Sequence, residues 1–310
     1  MKNYSKAWYD ALAIERYTQT WPSVYGPRAP IMPFIALPLP PEVRGHFREA
    51  GELHHFQPGD SIIEGTVVKG MQMIVSGLSC RVAATLNGQS GAGAMGLSTP
   101  NRVATGNLNF ATRRPQIGQY FALSRVTTLR ISHARGAELG FLKDPAVIRL
   151  WLSIQELINL SDRMGLTITA ILPAQQKFAA FLLAWSVYFG TVEEGPRGQR
   201  VRIPIPGRAR HIATVISVSD VTLDKLFADC RSRAGLEREG DFLVFDSAYL
   251  QEAHDWMRYC DGNDSPYTRP ARVEALLEEA VAFGDESRVY IRIGRYNLGG
   301  LVHVGQDLWF

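Results

Sequence analysis

Two short helical patterns followed at once by a strand pair, within residues 201–247, restrict the possible folds more than any other part of the chain. Residues 211–216 predict a first helix, and Ser219 is a favourable N-cap for a second helix over residues 221–231. The hairpin that follows has two bracketing glycines and an apolar return strand: Gly235, Gly240 and residues 242–245. This order predicts a winged helix-turn-helix.

The usual role of such a helix pair is to place its second helix in the major groove of DNA. Charge favours the same interpretation, because residues 197–245 carry nine basic and six acidic side chains. From residue 246 onward, eleven acidic side chains outnumber six basic ones. A basic module followed by an acidic end suits a nucleic-acid-binding protein that has a regulatory or docking tail.

The composition is that of a globular protein, with 46% hydrophobic and 20% charged residues in 310, enough for two domains with their own cores. The three cysteines are far apart and imply no disulfide framework, so we expect a cytoplasmic protein. The first residues lack the apolar segment of a signal peptide, and no stretch is long and apolar enough to predict a membrane span.

Short strands joined by tight turns are predicted from His55 onward, where apolar and polar residues alternate between glycines. The segment resembles the opening of the cyclic-nucleotide-binding β-roll, in which an aromatic residue precedes Pro-Gly-acid and apolar strands end in Ser-Gly. The matching residues are Phe56, Pro58, Gly59, Asp60, Ile62, Gly65, Met73, Ile74, Val75, Ser76 and Gly77.

Together with the winged helix-turn-helix, this roll resembles the Crp/Fnr family of bacterial transcription regulators over roughly residues 38–254. The resemblance implies an α+β protein with an antiparallel β-roll sensor, a long dimerisation helix and a DNA-binding domain, here with a carboxyl-terminal α/β extension. The expected boundaries are 1–37 for an N-terminal extension, 38–143 for the roll, 144–172 for the helix, 173–255 for the winged helix-turn-helix and 256–310 for the C-terminal extension.

The effector pocket of the family is altered in this sequence. Family members that bind a cyclic nucleotide carry Gly-Glu-Leu, whose Glu holds the ribose hydroxyl, and then an Arg that pairs with the phosphate. Here Asn107 takes the Glu position between Gly106 and Leu108, and Gln116 lies near the Arg position. A buried phosphate is costly without its Arg, so we do not expect standard cAMP binding.

Other candidates for this pocket leave the identity of any effector open. Arg113 and Arg114 lie two or three residues early, so a shifted phosphate contact is one alternative. Asp162 and Arg163 stand where cAMP-binding relatives have small hydroxyl residues facing the base. The pocket is therefore expected to take another small molecule or to be vestigial.

A heptad pattern predicts the dimerisation helix, which Pro145 is well placed to begin. Its apolar seam is predicted to pair with a second copy, an ordinary amphipathic core helix being the alternative. The seam residues are Leu150, Ile154, Leu157, Ser161, Met164 and Ile168.

The resemblance also assigns roles on the DNA-binding face. Ser219 and Thr222 match hydroxyls that contact phosphate, and Lys225 takes the position of an Arg that reads guanine. Asp220 stands in place of a base-reading Arg and accepts only from cytosine or adenine, whereas Val221 suits a thymine methyl. A cluster of arginines is expected to contact phosphates: Arg208, Arg210 and Arg231.

We therefore expect a homodimeric, sequence-specific regulator that binds double-stranded DNA, with RNA polymerase as a further candidate partner. Two alternatives stay open: a degenerate family member that acts through protein contacts, and a cyclic-nucleotide-binding protein that does not read DNA. The seven histidines show no metal-ligand spacing, and no GxSxG, P-loop or HExxH motif occurs, so neither a metal site nor catalysis is expected.

Overall fold

The fold of the chain was analysed in a computed structural model. It describes residues 31–35, 37–39, 41–63, 69–84, 90–105, 119–139, 145–196, 198–261 and 269–282. Helices and antiparallel sheets make up the described chain, which confirms the predicted α+β class. Residues 1–30, and the part of the expected carboxyl-terminal extension beyond residue 282, lie outside the described residues.

The first part of the chain is a β-roll of two antiparallel sheets, one in the order β1-β7-β2-β5 and the other β4-β3-β6. Gly59 and Gly77 have φ angles of 93° and 92°, a conformation that favours glycine, as predicted for these turns. Its elements are α1 (Pro41–Ala50), β1 (Glu52–Phe56), β2 (Gly70–Ser76), β3 (Ser79–Ala84), β4 (Ser90–Ser98), β5 (Val103–Thr105), β6 (Gln119–Ala122), β7 (Val126–Ser132) and α2 (His133–Glu138).

A single long helix, α3 (Pro145–Ile171), follows the roll. One of its faces is buried against the same chain, at spacings of four and three residues that keep the side chains in line: Ile154, Ile158, Ser161, Gly165 and Ile168. Leu172 and Pro173 end the helix, because proline is unfavourable in a helix interior.

The helix α4 (Ala174–Phe189) packs beneath the predicted winged helix-turn-helix. All residues of α4 from Phe178 onward are buried. The sheet order is β10-β11-β9-β8. Residues 191–195 pair antiparallel with residues 198–202, so this unit begins with a hairpin. The elements are β8 (Thr191–Gly195), β9 (Gly198–Pro204), α5 (Ala209–Val215), α6 (Asp220–Ala234), β10 (Glu237–Glu239) and β11 (Phe242–Asp246).

After the wing, a 3₁₀ turn (Ser247–Leu250) leads into α7 (Gln251–Asp261), and α8 (Val273–Ala282) follows after a gap in the description. Both helices pack against α4, with Ala253, Met257, Val273, Leu276 and Leu277 buried. In the part of the chain that the structure describes, no helix is both long and apolar enough to cross a bilayer.

An amino-terminal strap, residues 31–35 and 37–39, joins these parts. The Ser161 hydroxyl on α3 donates to the carbonyl of Met32 at 2.6 Å, and the Leu97 amide on β4 donates to the carbonyl of Phe34 at 2.6 Å. The ring of Phe34 lies 6.3 Å from that of Phe181 on α4, centroid to centroid. Parts of the roll, the long helix and the winged helix-turn-helix therefore share one hydrophobic cluster, while the rest of the roll packs around two others.

Candidate DNA interface and effector pocket

The two helices of the candidate DNA interface are held together by a tight turn. The amide of Val218 donates to the carbonyl of Ala213 at 2.9 Å, and Ser217 takes the left-handed conformation with φ 54°. Ser219 caps α6 as predicted, because its hydroxyl accepts from the amide of Thr222 at 3.1 Å. Its hydroxyl also lies 2.9 Å from that of Thr222, so the two polar groups form a pair at the start of the helix.

One face of α6 is anchored in the core and the other is open. Leu223, Leu226 and Phe227 are buried, and the Phe227 ring packs edge-on against Phe178 of α4 at 5.0 Å. The opposite face is exposed, with Val221 65% accessible although it is apolar. The exposed residues of this face are Asp220, Val221, Asp224, Lys225, Ala228 and Arg231. The predicted base-reading residues therefore lie together on an accessible surface.

Arg208 and Arg210 are both exposed at the beginning of α5, on either side of its first residue. His211 is half-buried beside them, and burial lowers its pKa to about 4, with the charges of Arg210 and Arg208 acting in the same direction. The imidazole is therefore neutral near pH 7, and Arg208 and Arg210 provide the positive charge here.

The wing has a different electrostatic character, because two of its arginines are paired with carboxylates of the same sheet. Arg202 forms an ion pair with Glu239 and lies over the Phe242 ring at 4.4 Å. Arg200 lies 3.7 Å from the carboxylates of both Glu237 and Asp246. These contacts leave the charge of the two arginines largely compensated within the wing.

Most of the predicted effector pocket falls outside the described residues: Gly106, Asn107, Leu108, Arg113, Arg114 and Gln116. The other two candidates, Asp162 and Arg163, are adjacent on α3 but have different surroundings. Arg163 is exposed, whereas the side chain of Asp162 is only 16% accessible and forms an ion pair with Arg81 of β3. Of these two, only Asp162 lies between the helix and the roll.

Arg81 and Tyr120 complete a buried polar cluster with Asp162, and the sequence analysis identified neither of them. Arg81 also donates a hydrogen bond to the hydroxyl of Tyr120 on β6. Burial disfavours the charge of Arg81, but the interactions with Asp162 and Tyr120 together outweigh burial and raise the pKa of the guanidinium. The available sequence signal was an arginine within an otherwise uncharged strand, Ser79–Ala84, since a buried charge requires a partner.

The described residues of the predicted dimer seam pack within their own chain instead of forming an exposed surface for a second copy. Ile154, Ser161 and Ile168 are buried by the strap and the core of the same chain, while Leu157 and Met164 are half-buried against it. Nothing is described of the Leu150 side chain. The periodicity identified residues that share a face, but that face packs inward because the roll and strap cover it. The exposed large apolar side chains of α3 are Leu152, Leu160, Leu166 and Ile171.

Within the described ranges, the structure indicates neither a metal-binding cluster nor a reactive buried thiol. No group of three or more His, Cys, Asp or Glu side chains there is arranged to hold a metal ion. Cys80 and Cys230 are buried, and burial raises the pKa of the Cys80 thiol to about 11. A thiol that stays protonated is a poor nucleophile.

Comparison with solved structures identifies similar folds at low sequence identity. CprK in complex with OCPA aligns with a TM-score of 0.53 and 13% identity, over 72% of this chain and 97% of CprK. FixK2 from Bradyrhizobium japonicum aligns with a TM-score of 0.54 and 12% identity, over 66% of this chain and 96% of FixK2. A mutant of CooA from Carboxydothermus hydrogenoformans aligns with a TM-score of 0.51 and 14% identity, over 68% of this chain and 89% of CooA.

No family model matches the sequence, and no curated protein matches it closely enough to count as a relative. Many of the solved structures that it resembles are transcription regulators of the CRP/FNR family. The alignments with CprK and FixK2 cover nearly the full length of those two proteins. The chain therefore has the fold of the CRP/FNR transcription regulators.

Proposed function

We propose that this protein is a dimeric, sequence-specific DNA-binding transcription regulator that acts in the cytoplasm, with α6 as its recognition helix. The observation that carries the proposal is the exposed face of α6, buried on its other side by α4. A helix held in this way presents side chains that reach base edges in a major groove. CRP/FNR regulators supply the same overall architecture, which supports this use of the fold.

The surroundings of α6 fit contact with a phosphate backbone. Arg208 and Arg210 are exposed, and Lys225 projects from the open face of the helix. Guanidinium and ammonium groups that meet phosphates release counterions and provide most of the affinity, whereas base contacts provide specificity. We assign Arg208, Arg210 and Arg231 to phosphate contact, with Ser219 and Thr222 as hydroxyl donors.

Base reading is assigned to Asp220, Val221 and Lys225. The carboxylate of Asp220 accepts hydrogen bonds from the amino groups of cytosine or adenine, and Lys225 donates to the acceptors of guanine. The ion-paired wing, with Glu237 and Glu239 on its edge strand, is unsuited to a phosphate clamp. The helix is therefore the main source of specificity in this proposal.

Dimerisation is assigned to α3, through the side that faces away from the core. Leu152, Leu160, Leu166 and Ile171 are between 39% and 64% accessible and lie on this side. A second copy of the helix packing along this stripe would remove them from water. Two DNA-binding faces related by the dimer axis would then meet half-sites about one helical turn apart.

The effector pocket is assigned to the boundary between the roll and α3, with Asp162 at its described edge. Because the carboxylate of Asp162 already neutralises Arg81, we do not propose standard cyclic-nucleotide recognition by this pair. RNA polymerase is kept as a candidate partner, as it is a common partner of transcription regulators.

Selection of bound sites from random double-stranded oligonucleotides tests the proposal directly. The full chain is expected to enrich one roughly palindromic motif, with affinity that falls steeply as salt is raised. Enrichment of no motif would favour the alternative in which the protein acts through protein contacts. Calorimetry with cAMP and cGMP tests the remaining alternative, a cyclic-nucleotide-binding protein that does not read DNA. That alternative predicts cyclic-nucleotide binding without enrichment of any DNA motif.

A further inference from the structure

A buried arginine of the roll reaches the helix that supports the DNA-binding face. Arg102 is fully buried, and its guanidinium lies 5.0 Å from the ring centroid of Tyr188 and 5.1 Å from that of Phe189. Both rings belong to the last two residues of α4. A guanidinium over aromatic faces, at the negative end of a helix, is attracted by the rings and by the helix dipole together.

The turn that carries Arg102 is fixed within the roll. The guanidinium donates to the hydroxyl of Thr99 at 2.8 Å and to the carbonyl of Pro100 at 3.2 Å. Ile74 on β2 exchanges backbone hydrogen bonds with this turn, since its amide donates to the carbonyl of Arg102 and its carbonyl accepts from Asn101. The position of Arg102 is therefore set by the sheet rather than by the helix that it contacts.

From the contact with Arg102, α4 extends to both parts of the DNA-binding unit. Next to Phe189, at 4.5 Å between ring centroids, Trp185 donates from its indole nitrogen to the carbonyl of Pro204 on β9 at 2.8 Å. Near the other end of the helix, Phe178 packs against Phe227 of α6. A rotation of α4 about its contact with the roll would therefore carry the sheet and the recognition helix with it.

A second buried arginine, Arg269, lies in the carboxyl-terminal part of the chain, whose helices α7 and α8 pack against α4. Arg269 donates to the carbonyl of Met257 at 3.0 Å and to the carboxylate of Asp261 at 2.6 Å. Arg269 thus ties the residues that precede α8 to α7, and both of these helices pack against α4.

We propose that Arg102 is a positioning residue for DNA recognition: it fixes the orientation of α4, and with it α5 and α6, relative to the roll and α3. The inference rests on the proposed function, because its consequence is expressed on DNA. With α3 as the dimer axis, a fixed orientation sets the separation and rotation of the two recognition helices. A dimer held in this way tolerates one half-site spacing and rejects its neighbours.

The test uses the full chain and a series of operators in which the half-sites are moved apart or together by one and two base pairs. Wild-type affinity is expected to fall about tenfold with such a change, because each base pair rotates one half-site by about a tenth of a turn. Arg102→Met keeps the length and removes the charge. It is expected to bind the preferred spacing several-fold more weakly and to lose most of this discrimination.

Two further variants keep the test informative. Arg130→Met makes the same chemical change on β7 of the roll, where the partner is Glu52 of β1, and should retain the wild-type spacing profile. Phe189→Leu removes one ring from the contact while keeping the site apolar. It should give an intermediate profile, and it replaces Arg102→Met as the test if that variant does not fold.

A measurement without DNA separates failure of this inference from failure of the proposed function. Spin labels on the exposed native Cys260 and on Leu53→Cys of the roll report the distance between the two parts, in labelled chains diluted with unlabelled protein. A distribution that is narrow in wild type and broad in Arg102→Met supports the positioning role even if no operator is found. Unchanged distances and an unchanged spacing profile would overturn it, whether or not the protein binds DNA.

Discussion

The carboxylate of Asp162 on α3 contacts the guanidinium of Arg81 on β3, and both side chains are less than a fifth accessible to solvent. The pair joins the long helix to the sheet that faces it. Removing one member leaves the other charge in a poorly solvated site, which costs far more than the net contribution of the intact pair. This asymmetry leads to the first prediction.

Asp162→Ala is expected to lower the free energy of unfolding by about 3 kcal/mol, because Arg81 is left buried without its partner. The double variant Arg81→Met/Asp162→Leu should recover much of that loss, since it removes both charges. Urea denaturation followed by circular dichroism measures both values. Glu138→Ala is the control: its ion pair with Arg135 is exposed and should change stability by at most about 1 kcal/mol. Equal losses for Asp162→Ala and Glu138→Ala would contradict the prediction.

The second prediction concerns phosphate contacts by Arg208 and Arg210. Replacing either with Ala should weaken binding to all DNA sequences and reduce the slope of log affinity against log salt by about 0.9, the value for one neutralised phosphate. Fluorescence anisotropy across a salt series provides the slope. Arg135→Ala, on the outside of the roll, is the matched control and should leave it unchanged. A slope that is insensitive to both arginines would remove them from the interface.

Lys225 is expected to affect specificity rather than charge alone. Lys225→Ala should cost about 1–3 kcal/mol at one guanine position of the selected site and relax the preference for that base. Competition with operators substituted at single positions measures the effect. A uniform loss across all positions would instead identify Lys225 as a phosphate contact.

The fourth prediction places the dimer contact on the outer side of α3. Leu152→Glu and Leu166→Glu should each shift the protein toward monomer, because a charge is introduced into the proposed apolar interface. Sedimentation equilibrium measures the change. Leu53→Glu is a matched control, since Leu53 on β1 is 58% accessible, close to the 59% of Leu152. A dimer that is unaffected by the α3 variants would place the interface elsewhere.

The fifth prediction concerns pH. His254 on α7 is fully buried, and burial lowers its pKa from 6.5 to about 4, with Arg269 and Arg258 lowering it further and Asp255 and Glu274 opposing them. In the unfolded chain His254 takes up a proton more readily than in the folded protein. Its contribution to the free energy of unfolding is therefore complete above about pH 6.5 and is lost as the pH falls toward 4. Allowing for solvent screening, the loss is about 2 kcal/mol.

His254→Leu should therefore flatten the dependence of stability on pH between 7 and 5. Part of the pH dependence should persist in this variant, because the pKa of His211 is also lowered to about 4. Urea midpoints at the two pH values provide the comparison. His55→Leu, at an exposed position on β1, should reproduce the wild-type curve. Parallel curves for wild type and His254→Leu would assign the acid sensitivity to other groups.

Local patterns in the sequence predicted much of the fold. Pro145 begins α3, as predicted from its position in the sequence. Ser219 forms the expected cap, and the glycines at 59 and 77 adopt the conformation that turns require. Such features depend on neighbouring residues alone, and a sequence reveals them directly.

Features that depend on distant residues were not predictable in the same way. The heptad in α3 indicated that Ile154, Ser161 and Ile168 share a face, but periodicity carries no information on which part of the protein covers that face. The ion pair of Arg81 with Asp162 and the contact of Arg102 with Tyr188 join residues about 80 positions apart. Only the tertiary arrangement identifies these pairs as partners.

The bond from Arg269 to the carbonyl of Ile31 joins two residues 238 positions apart, and it has a consequence for folding during translation. At about 5–20 residues per second, a ribosome needs roughly ten to fifty seconds to produce the second partner after the first. During that interval Met32 and Phe34 are without part of their final cover. Nascent chains of this protein are therefore expected to depend on chaperones until synthesis passes the second buried arginine.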